Sequence, residues 1–441
     1  MGTTDITGGP SVPAAPSGGA VCEIPTTVTQ DTTLTTGNLY ALAGAAFVGQ
    51  DAGPDVNNPN PVISATLTIQ AGVTIYGTNS TDFLTVNRGS QIIAAGTQSA
   101  PIIMTSLADV NGENLGSERG QWGGLIINGR APINSCADPS VPEACEASGE
   151  GGTGNYGGNA PNDNSGLLNF FRVQFAGFAI TPGNELNGIA FQGVGDGTEI
   201  DFVQVHNNDD DGVEFFGGTV DVSHLVITGV DDDAVDWVAG WNGSAQYILI
   251  AGSGVGDNGF EGDNNSSLND QTPRSNPTIA NWTAIGGPSE DLGMQIREGT
   301  AGTFLNGVVT GWDDGCLDID DGATFNQINT SSTPTPGIVD LQFISLFFSC
   351  ETPLDDFTDS DGAVDEAVSD IAAFEGISVG TSSLTSAPGF TSAFLNGANE
   401  DSVIPVDPST VDPALENVSQ IGALANDADD WFVGWTVPGS L

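Results

Sequence analysis

Carboxylates recur at regular intervals through the middle of the chain and are the side chains best suited to do chemistry. Runs of aspartate stand at 209–211 and 231–233, and another acidic residue follows each run within a short apolar segment. Oxygen ligands without nearby cysteine or histidine favour a hard cation, calcium before magnesium. We therefore expect structural calcium held by ligands drawn from Asp209, Asp211, Glu214, Asp231, Asp233, Asp236, Asp257, Glu261, Asp314 and Asp318.

The same carboxylates allow two other interpretations. Aspartate and asparagine are common turn formers, and their side chains can simply be solvated. Paired carboxylates roughly 5–9 Å apart can also act as acid and base in the hydrolysis of a neutral polysaccharide. Asp211 with Asp233, and Glu214 with Asp236, are the candidate pairs, although the preferred interpretation is a protein without catalytic activity.

Aromatic and cationic side chains lie near the acidic positions. Tryptophans flanked by carboxylates suit sugar binding, and burial in the core is the alternative. Arg297 is one of six arginines in a chain without lysine, so we expect it to neutralise neighbouring carboxylates or to clamp a ligand. The predicted ligand-binding residues are Trp237, Trp241, Arg297 and Trp312.

The segments that carry these residues repeat about every two dozen positions. A first set of apolar segments starts at Ile189, Val213, Val235, Phe260, Met294 and Leu317. A second set has Val173, Val205, Ile227, Ile250, Ala284 and Val309 in equivalent places. Both sets lengthen at the step that contains the polar residues 264–277, so a single insertion explains both irregularities. Short strands separated by Gly, Asn and Asp turns at this spacing predict an all-β, right-handed parallel β-helix with 22–25 residues per coil.

The register of this predicted helix aligns the acidic residues. The residues one place beyond the first set are Ala190, Glu214, Asp236, Glu261, Gln295 and Asp318. Alternation places their side chains on the face opposite the core ladder. Coils stack about 4.8 Å apart, so the carboxylates repel one another unless cations or arginines intervene.

The chain divides into three predicted regions. Residues 1–21 are small, Gly- and Pro-rich and nearly uncharged, which favours a flexible tether. Residues 22–350 form the β-helix. Residues 351–441 carry helix-compatible spacing at 359–376 and 413–435, and we expect a partly helical cap that buries Trp431, Phe432 and Trp435.

Composition limits the possible partners. The net charge of −51 disfavours nucleic acid and anionic membranes as partners. No apolar run is long enough to span a membrane, and no signal peptide is visible in these residues. The dense negative charge and the candidate disulfides favour a secreted or outer-surface protein, and a precursor with a lipid anchor or tether is one form it could take. In an oxidising compartment Cys136 with Cys145, and Cys316 with Cys350, account for two disulfides and leave Cys22 over.

Several landmarks resemble a family of secreted bacterial surface proteins, many of them predicted lipoproteins without an assigned function. The landmarks are LTIQAGVTIYG, WGGLIINGRAPIN, the run from NELNGIAFQ to VDDDAVDW, and DDWFVGWT. A looser similarity links DDDGVEF and DDGCLDI to active-site motifs of pectin-degrading β-helix enzymes, although the downstream Gly-His and Arg-Ile-Lys signatures of the hydrolases are missing. The resemblance implies a β-helix at the cell surface.

These observations predict a structural or binding protein. Its expected partner is a surface glycan, another protein or a second copy of itself, and its expected cofactor is structural calcium. The alternatives are a glycoside hydrolase and a subunit that assembles into a filament or surface layer through its strand edges.

Overall fold

A computed structural model describes residues 2–114, 116–180, 186–354, 373–380, 394–397, 400–426 and 428–441. The chain separates into two compact units, residues 1–220 with 433–438 and residues 221–432 with 439–441. Within each unit, short strands of successive coils pair in parallel, as the 22–25-residue repeat predicts. The fold class is therefore a parallel β-helix, and each unit is described separately below.

The described residues of the first unit form eighteen strands. In chain order they are β1 (Thr4–Asp5), β2 (Val21–Glu23), β3 (Thr27–Val28), β4 (Thr32–Leu34), β5 (Leu39–Leu42), β6 (Ala46–Val48), β7 (Thr66–Gln70), β8 (Thr74–Gly77), β9 (Phe83–Val86), β10 (Gln91–Ala95), β11 (Ile102–Ser106), β12 (Gly124–Asn128), β13 (Ala147–Ser148), β14 (Asn155–Tyr156), β15 (Gly166–Gln174), β16 (Ile189–Gln192), β17 (Glu199–His206) and β18 (Val213–Phe216). A one-turn helix, α1 (Leu107–Val110), and two 3-10 turns, Pro142–Ala144 and Glu150–Gly152, complete it.

Each coil of this unit has three strand positions. One stack runs through β3, β6, β9, β12, β16 and β18. The other two positions hold separate strands in the early coils, such as β10 and β11, which both pair with the single long strand β15. At the point where β15 and β17 bend, Phe170 and Phe202 adopt positive φ angles of 46° and 53°. The bend lets one strand cover two faces of the coil.

The described residues of the second unit show the same pattern, with twelve strands and one short helix. They are β19 (Val222–Thr228), β20 (Val235–Val238), β21 (Ser244–Ala251), β22 (Phe260–Gly262), β23 (Thr278–Ile285), β24 (Gln295–Ile296), β25 (Gly302–Thr310), β26 (Asp318–Ile319), α2 (Gly322–Phe325), β27 (Ile328–Asn329), β28 (Leu341–Ile344), β29 (Leu346–Ser349) and β30 (Ile377–Val379), followed by 3-10 turns at Glu400–Ser402 and Pro408–Thr410.

The predicted register is confirmed wherever the structure describes the pairing. Val173 pairs with Val205 in the first unit. In the second unit the ladder runs from Ile227 through Ile250 and Ala284 to Val309. These inward-facing residues are almost completely buried, so the apolar ladders form the interior of the coils. Residues 264–277 lie between β22 and β23 as the predicted insertion.

The N-terminal segment differs from the expected flexible tether. Strand β1 pairs with β2 in antiparallel orientation, and Ile6 donates its backbone N–H to Val21. Ile6 and Val12 pack against a buried cluster that contains Tyr76. The small residues of this segment therefore fold onto the first coils, because β2 would otherwise present an unpaired strand edge.

The C-terminal region also differs from the expected cap. Most of 359–376 lies outside the described residues, and the described part of 413–435 forms turns and bends rather than a helix. Residues 403–424, here called the C-terminal strap, lie along the side of the second unit. Its apolar residues pack on successive coil strands, with Leu415 against Leu305 and Ile421 against Phe347.

Side-chain amides of the coils hold this strap by its main chain. Gln246 accepts the Glu416 N–H at 2.7 Å and donates to its carbonyl at 3.1 Å. Asn306 makes the same double contact with Val406 at 2.9 and 2.7 Å. Farther along the chain, Trp435 is buried against Phe170 and Phe202 of the first unit, whereas Trp431 and Phe432 are only partly buried.

Both predicted disulfides are present. Cys136 is bonded to Cys145, and Cys316 is bonded to Cys350. Cys22, on β2, is the free cysteine of the chain. Among the described residues, every helix is too short or too polar to cross a membrane.

Candidate functional site

The predicted acidic residues fall into both units. Asp209, Asp211 and Glu214 belong to the first unit, where Asn187 donates to the buried Glu214 at 2.5 Å. The remaining seven predicted metal ligands belong to the second unit. Of these, Asp231 and Asp314 are exposed, whereas Asp233, Asp236 and Asp318 are at most 8% exposed.

Aspartates stack on successive turns of the second unit. The backbone N–H of Asp257 donates to the Asp232 carbonyl at 3.1 Å, and Asp291 donates to Asp257 at 2.9 Å. Asp314 then donates to the Asp291 carbonyl at 3.0 Å. One aspartate from each of four turns therefore lies in a single file. Since stacked coils are only about 4.8 Å apart, ionised side chains in this file repel one another.

Three carboxylates at one end of this file converge. Asp232, Asp233 and Asp257, here called the cation cluster, each offer an oxygen, and these oxygens lie within 4.8 Å of one another. Asp233 is the buried member, and its Oδ1 accepts the backbone N–H of Asn258 at 2.9 Å. Burial, and next the negative charges of Glu261, Asp232 and Asp257, raise the pKa of Asp233 well above its ordinary value. The carboxylate form of Asp233 is therefore costly without a positive neighbour.

A neutral oxygen lies beside the cation cluster. The Oδ1 atom of Asn258 is buried without a hydrogen-bond partner, and the residue is 4% exposed. Asn258 lines a small cavity of about 10 Å³ together with Asp232, Glu290 and Trp312. The indole N–H of Trp312 is also buried without a partner. A cavity of this size holds about one water molecule, so one polar guest could serve an orphaned acceptor and an orphaned donor.

A second group of carboxylates surrounds Arg297. Its guanidinium contacts Glu261 at 2.8 Å through Nη2 and Asp263 at 3.1 Å through Nε. Glu261 lies in the predicted ladder, pairing with Asp236 on one side and with Gln295 on the other. The charge of Arg297 is shared between these two largely buried carboxylates.

The positive charge of Arg297 does not neutralise all the carboxylates of this group. Burial, and next the charge of Asp263, raise the pKa of Glu261 to about 7 despite the nearby arginine. Burial, and next the negative charge of Asp263, likewise raise the pKa of Glu298 to about 7. Glu298 and Asp321, whose backbones adopt positive φ angles of 51° and 68°, are joined by a 3.0 Å hydrogen bond from the Glu298 N–H. Near neutral pH the group can hold a proton on a carboxyl beside a carboxylate.

The predicted sugar-binding tryptophans occupy the core instead of a groove. Trp237, Trp241 and Trp312 are at most 2% exposed. Trp237 stands directly opposite Gly262 of the next coil, where even a methyl group would collide with the indole. This glycine makes room for the large indole ring inside the stack. The expectation that the indoles face a ligand is therefore wrong.

Sequence reasoning missed several residues of both groups. Asn258 and Asp291 lie beside predicted aspartates but carry no distinctive motif. Asp263, Glu298 and Asp321 follow strands β22, β24 and β26 at similar distances. That common offset is visible in the sequence once the strand register is known, and it could have identified this acidic row.

The short strands of successive coils stack in parallel, and acidic side chains occupy the turns between them. These features define a parallel β-helix protein. A family model described as a pectate-lyase-like β-helix domain matches residues 26–345, and the chain belongs to this family. The curated proteins and the solved structures contain no significant match to the chain.

Proposed function

We propose that the protein is an extracellular, cell-surface binding protein whose coils are stabilised by a hard divalent cation, calcium first. The observation that supports it best is the cation cluster, in which Asp232, Asp233 and Asp257 bring oxygens within 4.8 Å of one another. Three carboxylates at this separation are costly together unless a proton or a cation lies among them.

The donor set fits calcium. Carboxylate oxygens and a side-chain amide oxygen are hard ligands, and calcium accepts six to eight oxygens in flexible arrangements. The orphaned Oδ1 of Asn258 supplies an independent reason for a positive guest, because an unsatisfied buried acceptor costs about 1–3 kcal/mol. The neighbouring cavity offers room for one ligand water.

The proposed location follows from the disulfides and the charge. Two disulfides persist most readily outside the cytosol. A net charge of −51 is best tolerated where salt and divalent cations screen it. For the binding partner, a neutral glycan, a protein or a second copy of the chain are the candidates, since polyanions would be repelled.

Thermal unfolding of the EDTA-treated protein at physiological salt tests the cation. Adding calcium at 100 times its dissociation constant should raise the free energy of unfolding by about 2.7 kcal/mol, with a smaller effect of magnesium. Asp257→Asn should remove most of this increment, and the exposed Asp231→Asn in the same acidic segment should retain it. An equal melting temperature with and without calcium would contradict the proposal.

A second candidate function, hydrolysis of a neutral polysaccharide, is favoured by the group around Arg297. It places Glu261 and Asp263 on one arginine, and a carboxyl that is protonated near pH 7 can act as a general acid. Release of reducing ends from neutral polysaccharides by the full chain tests it. The activity should be lost in Glu261→Gln and in Asp263→Asn while both variants remain folded.

A further inference from the structure

The first unit contains an open polar cavity of about 210 Å³, and its lining shares no residue with the acidic groups described above. Six of its lining residues are polar: Asp31, Ser64, Thr66, Ser90, Gln91 and Asn164. The others are alanine and glycine, so the lining, all of it within the described residues, has no aromatic ring and no positive charge. We call this cavity the strand-start pocket.

The register of the coils explains why polar side chains meet there. Strands β4, β7, β10 and β15 are neighbours, and each begins beside the pocket. Thr66 pairs with Gln91. Asp31 precedes Thr32, the partner of Leu67, and its Oδ1 accepts the Thr66 N–H at 2.9 Å. Three polar side chains from successive coils thus stand in file, about 4.8 Å apart.

Internal hydrogen bonds fix the lining but use only part of its capacity. Gln91 donates through Nε2 to the carbonyl and the side-chain oxygen of Asn164 at 3.1 and 3.0 Å. Ser90 accepts the Ala65 N–H at 3.3 Å. Among the bonds of the described chain, none involves Asp31 Oδ2, Gln91 Oε1, Asn164 Nδ2 or the hydroxyls of Ser64 and Thr66. The pocket therefore presents two acceptors, an amide donor and two hydroxyls to a guest.

We propose that the strand-start pocket binds one sugar residue of a neutral glycan through its hydroxyl groups. A sugar hydroxyl both donates and accepts, which matches the mixed lining. The volume lies just below the roughly 300–1,000 Å³ of drug-sized pockets, as expected for a single ring. Asp31 and the charge of −51 exclude uronates and sulfated sugars.

The inference rests on the proposed function in one respect, since it names a neutral glycan as the partner. It assigns recognition to hydroxyl contacts instead of the buried tryptophans. Without ring stacking, and in an open pocket, the contact with one sugar residue is weak, with a dissociation constant on the order of a millimolar.

Ligand-observed NMR and isothermal titration of the full chain test the pocket. The probes are the methyl glycosides of glucose, galactose and mannose, with galacturonate as the anionic counterpart. At least one neutral glycoside should bind and galacturonate should not. Thr66→Val and Gln91→Ala should each weaken binding roughly three- to tenfold, the effect of one lost hydrogen bond.

Thr68→Val is the matched control. Thr68 lies two residues farther along β7, on the same face and equally half-buried, but outside the pocket lining. It should leave binding unchanged. Absence of binding by all three neutral glycosides, or equal binding by the pocket variants and wild type at unchanged melting temperature, overturns the proposal. Asp257→Asn, in the second unit, tests the cation separately, so failure of one proposal is distinguishable from failure of the other.

Discussion

Asn258 donates its backbone N–H to Asp233 at 2.9 Å, while its own side-chain oxygen lies buried without a hydrogen bond. The backbone contact fixes the residue beside a buried carboxylate, and the orphaned oxygen carries a cost that a cation would remove. This relationship makes the role of Asn258 measurable.

The effect of Asn258→Leu on the free energy of unfolding should change sign when calcium is added. In EDTA the variant loses an unsatisfied acceptor, so its free energy of unfolding should equal or exceed that of wild type by about 1 kcal/mol. In calcium the wild type should gain more, because the variant lacks one ligand. Chemical denaturation in both conditions measures the difference. The same ranking in both would contradict a cation at this oxygen.

Terbium luminescence should locate the cation. Terbium takes oxygen ligands as calcium does, and Trp312 lines the cavity shared with Asp232 and Asn258. Excitation of the indoles should therefore give sensitised terbium emission that calcium displaces. Trp312→Phe should lower the emission strongly at an unchanged terbium affinity, measured by competition. Full emission from this variant would place the ion elsewhere.

The free energy of unfolding should depend on pH in the way that the titration of Glu261 predicts. Because its pKa is raised in the folded state to about 7, the folded protein binds more protons than the unfolded chain between about pH 4.5 and 7. Its contribution to stability is present below this window and is lost as the pH rises through it, about 3 kcal/mol over the whole window.

Glu261→Gln should reduce that slope and leave the part that Glu298 contributes, since the pKa of Glu298 is also raised to about 7. Denaturation in EDTA at pH 5 and pH 7.5 measures it, and the exposed Glu351→Gln is the control, expected to keep the wild-type slope. If Glu261→Gln loses as much stability between these two pH values as wild type, the titration belongs to another group.

The sequence predicts the coil register well because register is a local property repeated many times. The shared skip at residues 264–277 aligns Glu261 with Gln295 and Ile250 with Ala284. The sequence does not predict the burial of the tryptophans, for a different reason. Trp237 is buried because Gly262 stands opposite it on the next coil, and that relation appears only when the strands are stacked. The contacts of the C-terminal strap likewise join residues at least 100 positions apart.

Arg297→Met should destabilise the second unit. The substitution keeps the aliphatic stem but leaves Glu261 and Asp263 without their shared cation. Breaking a fully buried pair costs about 3–5 kcal/mol, and the 34% exposure of the Arg297 side chain reduces the expected loss to about 2 kcal/mol. Asp270→Asn, which removes an 80% exposed partner of Arg274, should change stability by less than about 0.5 kcal/mol. Equal melting temperatures for Arg297→Met and wild type would contradict the role assigned to this pair.

Gln246→Ala should loosen the C-terminal strap. Gln246 holds both main-chain groups of Glu416, so its loss leaves the Glu416 N–H and carbonyl without these partners. We expect a loss of about 1–3 kcal/mol in the free energy of unfolding. Because regions can open locally, cleavage by a nonspecific protease should rise within residues 403–424 before the coils are cut.

Mass spectrometry of the fragments distinguishes this local opening from global unfolding. Asn417→Ala alters an exposed strap residue next to the same contact and should leave both stability and cleavage unchanged. If Gln246→Ala raises cleavage equally in the strap and in the coils, the two open together. In that case the double contact stabilises the whole unit, and the strap is an integral part of the second β-helix.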